Sequence, residues 1–196
     1  WDNNFVKVSR KIVDNAFIKT AIKDDKSRNL LFNPYVLEQE LGMIGKNPEL
    51  LENLTKGTSL SKQKLLDLIE VSKSHANLEI PDVNSFIQRR ITLGGAKSIL
   101  GTFALGAGVI ADPVAVGALI GITNRTSAFF ANPKNVELAI EALDITAPRS
   151  VRYIAGEKLI RGYVKDTEGE EKTVYEDILK DYQNNKEEIL EGMREL

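Results

Sequence analysis

From Ile99 to Thr123 the chain runs 25 residues with a single ionisable side chain, Asp112, placed directly before Pro113 at the midpoint. A run this apolar has to be buried, among other helices or in lipid, because exposing it forfeits the hydrophobic stabilisation available to a domain. Asp112 offers a side-chain acceptor and Pro113 a first-turn proline, so the pattern predicts a hairpin of two short helices, Ile99 to Ala111 and Pro113 to Thr123. Each half would extend only about 17 to 20 Å, against roughly 30 Å of bilayer hydrocarbon. Neither half spans a membrane alone.

Two destinations for the hairpin stay open at this level. Gly117 and Gly121 are four apart, as are Ala104 and Gly108, giving smooth faces on which two backbones can approach closely. Seven glycines between 94 and 121 each weaken a helix by about 0.5 to 1 kcal/mol relative to alanine, a penalty that burial among neighbours has to offset. Core packing does this without lipid. Leu100, Phe103, Leu105, Ile110, Val114, Val116, Leu119 and Ile120 are the expected contact residues, facing other helices when sheltered and a bilayer or neighbouring copies when released. A full span would need Asp112 and Pro113 tolerated as a kink, with Lys97 and Arg125 at the borders, and Asp112 costs several kcal/mol near a bilayer centre unless neutralised.

The rest of the chain is punctuated for helices. Asn-Pro followed by Glu recurs at Asn33 to Glu38, Asn47 to Glu52 and Asn132 to Glu137, each joining an N-cap acceptor to a first-turn proline and a carboxylate near the positive helix end. Apolar spacing predicts helices from Phe5 to near Lys23, Asn33 to Gly45, Asn47 to Lys56 and Ser59 to His75. A longer one opens at Pro81 and Asp82. After the hairpin come Asn132 to Leu143 and Ala147 to about Val164, the latter through Val151, Ile154, Leu159 and Ile160. A polar turn is expected over Asp166 to Lys172. Tyr175, Tyr182, Ile189 and Leu196 then stand seven apart, a weak heptad broken by Asn185 and Gly192 that suits packing on the body better than a coiled coil. Asn77 to Ile80 and Tyr163 to Thr167 are the candidate short strands, with no turn pair to support a sheet. The expected fold is all-α, eight to ten helices around the hairpin, with residues 1–165 as the core domain and 166–196 as an acidic amphipathic C-terminal helix.

Composition removes several classes of chemistry. Cysteine is absent, which excludes disulfides, thiolate nucleophiles and Cys-ligated metal. The sole histidine, His75, sits near an expected helix end and is read as a C-terminal cap. Gly106 and Gly108 lack the strand that a dinucleotide fingerprint needs, and Asp166, Glu168, Glu170 and Glu171 miss the calcium-loop spacing. No carboxylate pair stands out for acid and base work. No cofactor, metal or small-molecule substrate is indicated. Residues 1–30 carry seven Lys/Arg against four Asp/Glu, and 166–196 carry four against eleven, so the ends are oppositely charged. Lys7, Arg10, Lys11, Arg89 and Arg90 form the only candidate basic contact surface, thin for nucleic acid. Trp1 to Ser9 is mixed and predicts no signal peptide, and an opening Trp suggests a piece of a longer polypeptide.

Arg89-Arg90, Leu93-Gly94-Gly95, the Gly/Ala-rich hairpin, Arg125, and Asn132-Pro133 leading to Leu143-Asp144 together resemble helical segments of large internal virion proteins of tailed bacteriophages. The resemblance spans about 89 to 145 and brings no catalytic residue. It implies a piece of a long chain packaged in the virion, ejected with the DNA, and found afterwards in the host cytoplasm or cell envelope. In the proteins it resembles the glycine-rich segment tends to lie near the chain end, whereas about 50 residues follow the Asn-Pro helix here. The expected role is a non-enzymatic structural or delivery module, whose partners are other parts of a larger polypeptide or assembly, with conditional membrane contact. The alternatives are a soluble protein-protein interaction module and, further off, a cryptic hydrolase.

Overall fold

The computed structural model describes residues 21–23, 29–36, 38–39, 61–75, 79–81, 112, 114–115, 117–118, 129 and 132–193. Lys7, Arg10, Lys11, Arg89 and Arg90 lie outside them, as do Leu100, Phe103, Leu105, Ile110, Pro113, Val116, Leu119, Ile120, Gly121 and the Asn47 start. The described helices form an all-α bundle, as the periodicity predicts, with a small sheet as the other described element.

The helix starts at Asn33, Ser61 and Asn132 carry capping side chains. Asn33 accepts from the Tyr35 and Val36 amides through Oδ1, at 3.1 and 3.3 Å, and residues 34–36 and 38–39 are helical. Helix α1, Lys62–Lys73, starts behind Ser61, whose hydroxyl accepts from the Lys64 amide. Helix α2, Pro133–Leu143, starts behind Asn132 with proline in its first turn. Asp144 then turns the chain, accepting from the amide and hydroxyl of Thr146. Helix α3, Arg149–Asp166, follows Pro148, and its end is closed by the Thr167 hydroxyl donating to the Tyr163 carbonyl at 2.7 Å. Only Thr167 and Glu168 separate it from helix α4, Gly169–Asn184, and Asn185 separates α4 from helix α5, Lys186–Gly192.

These boundaries correct four expectations. The polar turn is far shorter than Asp166 to Lys172, because Gly169 takes a φ of 63° and restarts the helix at once, with Glu170 and Glu171 in the first turn where the helix dipole favours carboxylates. The C-terminal segment is two helices, not one. Tyr163 to Asp166 is helical and not strand. Val151 and Ile154, read as part of the α3 apolar face, are instead 42% and 49% exposed, while Arg152, Tyr153 and Gly156 are buried.

A small sheet is the larger departure. Strands β1, Ala21–Lys23, β2, Asn29–Phe32, and β3, Glu79–Pro81, form an antiparallel sheet in the order β1-β2-β3, with Ile22 opposite Leu31 and Leu30 opposite Ile80. The first helix therefore does not run on to Lys23, and Pro81 ends an edge strand, where a missing N–H is tolerated; the helix expected from Asp82 onward lies outside the described residues. The candidate strand Asn77 to Ile80 overlaps β3, whereas β1 and β2, three and four residues long, show too few alternations to announce themselves in sequence.

Helix α3 is the spine of the bundle. It packs on α2 and α4, α1 packs on α2, and α5 rests on α3 and α4. Leu68 and Ile69 of α1, Val136, Ala139 and Leu143 of α2, Leu159 and Ile160 of α3, and Val174, Ile178 and Tyr182 of α4 share one core with Val114, Ala115 and Ala118 of the apolar segment.

Candidate functional site

The described part of the apolar segment lies against one face of α3. Residues 114–115 and 117–118 are helical, and Asp112 caps them, its Oδ1 accepting from the Val114 and Ala115 amides at 3.0 and 3.2 Å. Its other oxygen, Oδ2, is ion-paired with Nη2 of Arg152. Both side chains are wholly buried. A charge taken out of water needs a partner at hand, and the segment's only charge has one, with both carboxylate oxygens engaged.

Arg152, Gly156, Ile160 and Tyr163 are spaced four, four and three, so they share a face of α3. Each meets the segment in order. Arg152 holds Asp112; Gly156 lies so close beneath Val114 that a Cβ there would stand 2.9 Å from Val114 Cγ1; Gly117 lies over Ile160; and the Tyr163 hydroxyl reaches the Ala118 carbonyl at 3.4 Å. Small residues on both sides let the backbones approach.

Beneath this seat the last carbonyls of α2 are closed from a distance. A helix leaves its final C=O groups without intrahelical partners, and its C-terminal end favours positive charge. Arg152 Nε donates to the Ala142 carbonyl at 3.1 Å, and His75 Nε2 donates to the Leu143 carbonyl at 2.9 Å. His75 thus caps a helix C-terminus as expected, but the helix is α2; it is buried and ties the end of α1 to the end of α2. Arg152 bridges two neighbours at once, the end of α2 and the cap of the apolar segment.

Tyr153 and Tyr182 clasp α3 to α4. Their rings stack with centroids 4.7 Å apart, and each hydroxyl donates to the other residue's carbonyl at 3.1 Å. Glu157 adds an outer tie, accepting from Gln183 at 2.7 Å and from Arg161, and the Gln183 hydrogen bond followed by Arg161 holds its carboxyl below the usual range. Burial pushes the Tyr182 hydroxyl far above its ordinary value of 10.0, with Tyr153 and Asp112 adding to the shift, so it stays a donor at any physiological pH. The folded value is raised, so the associated stability is complete below pH 10.0 and declines as pH climbs toward the folded value. Alkaline denaturation followed by circular dichroism should show this limb. Tyr182→Phe should reduce its slope by about 1.4 kcal/mol per pH unit, and an unchanged slope would show that Tyr182 ionises freely in the fold.

Of the residues expected at the hairpin, Asp112, Val114 and Gly117 are brought into this junction. Arg152, Gly156 and the Tyr153–Tyr182 clasp escaped the sequence reading. The available signal was Asp112 itself, a lone charge in an apolar run that demands a buried cation. Among the described residues no group of three or more His, Asp or Glu is placed to hold a metal, and no helix is long and apolar enough to cross a membrane. Comparisons with protein-family models, curated proteins and solved structures return no match.

Proposed function

We propose that this chain is a non-enzymatic helical packing module of a larger assembly, with its apolar segment seated in the protein core and not in lipid. The observation that supports this reading is the Asp112–Arg152 pair. In a bilayer Asp112 would carry a desolvation cost of several kcal/mol, whereas here an arginine and two backbone amides already meet both of its oxygens. A carboxylate so occupied positions a helix; it does not accept a substrate proton. The class of parent, a large virion polypeptide delivered with DNA, rests on the resemblance over residues 89 to 145 alone.

Vesicle flotation tests the seat. The purified chain, mixed at neutral pH with neutral or anionic phospholipid vesicles, should stay in the protein fraction. Co-flotation with the folded chain would remove the packing reading and favour membrane engagement.

A second reading, recruitment of a basic partner, has its own support. The apolar sides of α4 and α5 are used up in the core through Val174, Tyr175, Ile178, Tyr182 and Ile189, which leaves Glu176, Glu187, Glu188 and Glu191 in solvent. Deleting 166–196 would strip the core, so this role is separable only by reversing those exposed charges.

A further inference from the structure

We infer that the outward face of α3 is a docking surface for a second copy of this chain, which lays the acidic face of its α5 along it. The inference rests on the recruitment reading above and names the basic surface that those carboxylates meet.

Helix α3 is covered on three sides, by the apolar segment, α2 and α4. Val151, Ile154, Lys158, Arg161 and Lys165 are spaced three, four, three and four, so they form one stripe along the helix, and all five are exposed. The stripe runs from two aliphatic residues into three cations and holds no carboxylate. Arg161 is ion-paired with Glu157 beside the stripe, whereas Lys158 and Lys165 make no ion pair among the described residues.

The same chain carries the complementary surface. Glu187, Glu188 and Glu191 of α5 are exposed and make no ion pair among the described residues, and residues 166–196 hold four Lys/Arg against eleven Asp/Glu. Spacing matches as well as sign. Glu188 and Glu191 are three apart, as are Lys158 and Arg161; Glu187 and Glu191 are four apart, as are Arg161 and Lys165. Leu190, next to Glu191 and only partly buried, offers an apolar contact for Ile154. Within one molecule these charges do not pair, so a second copy is the occupant whose chemistry the sequence already holds. The two surfaces differ, which makes the contact heterologous: each copy offers α5 to one neighbour and α3 to another, building rows or rings and not closed two-fold dimers. Five side chains fall short of the roughly 1,000 Å² that a stable complex buries, so the contact is weak in dilute solution and effective where an assembly holds copies close.

Sedimentation velocity on the intact chain, from micromolar to millimolar concentration, reads the contact. At low salt the average mass should climb past that of a dimer, and high salt should reverse the climb by screening exposed charges. Lys158→Glu with Lys165→Glu, or Glu188→Lys with Glu191→Lys, should each weaken self-association by about tenfold or more, and an equimolar mixture of the two variants should restore it. Ile154→Ser should weaken it too while leaving the melting temperature unchanged, because that side chain is 49% exposed in the single copy. Should the α5 reversal unfold its helix, Glu188→Gln with Glu191→Gln takes its place, with a loss of association expected. A monomer at every concentration in low salt overturns the inference, as does a mixture that stays monomeric. Association that survives the α3 reversal but not the α5 reversal also overturns it, and leaves the recruitment reading standing with a different basic surface as partner. Binding of the monomer to anionic vesicles through Lys158 and Lys165 would assign the stripe to lipid and overturn it as well.

Discussion

Replacing Tyr182 with alanine is expected to destabilise the protein by about 3 to 5 kcal/mol, the range for removing a large buried aromatic side chain. Tyr182 is wholly buried, stacks on Tyr153, and shares with it two reciprocal hydrogen bonds. Truncation therefore leaves a cavity between α3 and α4 and removes the acceptor-bound hydroxyl over Tyr153. Tyr182→Phe keeps the ring and loses one hydrogen bond, so it should cost only about 0.5 to 1.5 kcal/mol. Chemical denaturation of both variants separates ring from hydroxyl. Equal losses would mean that the hydrogen bond and not the stack closes the interface.

Two glycines of α3 should respond to alanine in opposite directions. A Cβ on Gly156 would stand 2.6 Å from the Tyr182 hydroxyl and 2.9 Å from Val114 Cγ1, closer than real side chains approach, so Tyr182 or the apolar segment has to move. Gly156→Ala should cost about 1 to 3 kcal/mol, the usual penalty for overpacking. At Gly162 the nearest atom to an added Cβ is Asn135 Oδ1 at 3.6 Å, an ordinary contact. Gly162→Ala should stabilise by up to about 1 kcal/mol, from helix propensity and a less disordered unfolded chain. Thermal melts of the pair give the signs, and a loss at Gly162 equal to that at Gly156 would show that the close approach at Gly156 is not what separates the two sites.

These effects converge on one physical feature. The face of α3 carrying Arg152, Gly156, Ile160 and Tyr163 is shaped to take a smooth, singly charged helix, and Gly156 touches both the apolar segment and the α4 clasp. Packing errors at Gly156 should therefore reach both neighbours at once, whereas loss of the ion pair acts on the segment.

The sequence by itself determined the local events. Asn33, Ser61 and Asn132 start helices where their capping oxygens stand, Asp112 caps the segment behind it, and the uncharged composition of the 99 to 123 run requires burial, because each depends on neighbours within a few residues or on composition alone. Tertiary structure decided the partners. Arg152 is 40 residues from Asp112, His75 is 68 from Leu143, and β3 lies far from β2, distances at which a single sequence carries no pairing signal. The buried face of α3 was decided there too: periodicity favoured Val151 and Ile154, but the need to neutralise Asp112 and to let backbones approach at Gly156 turned that face inward and left the two aliphatic residues in solvent.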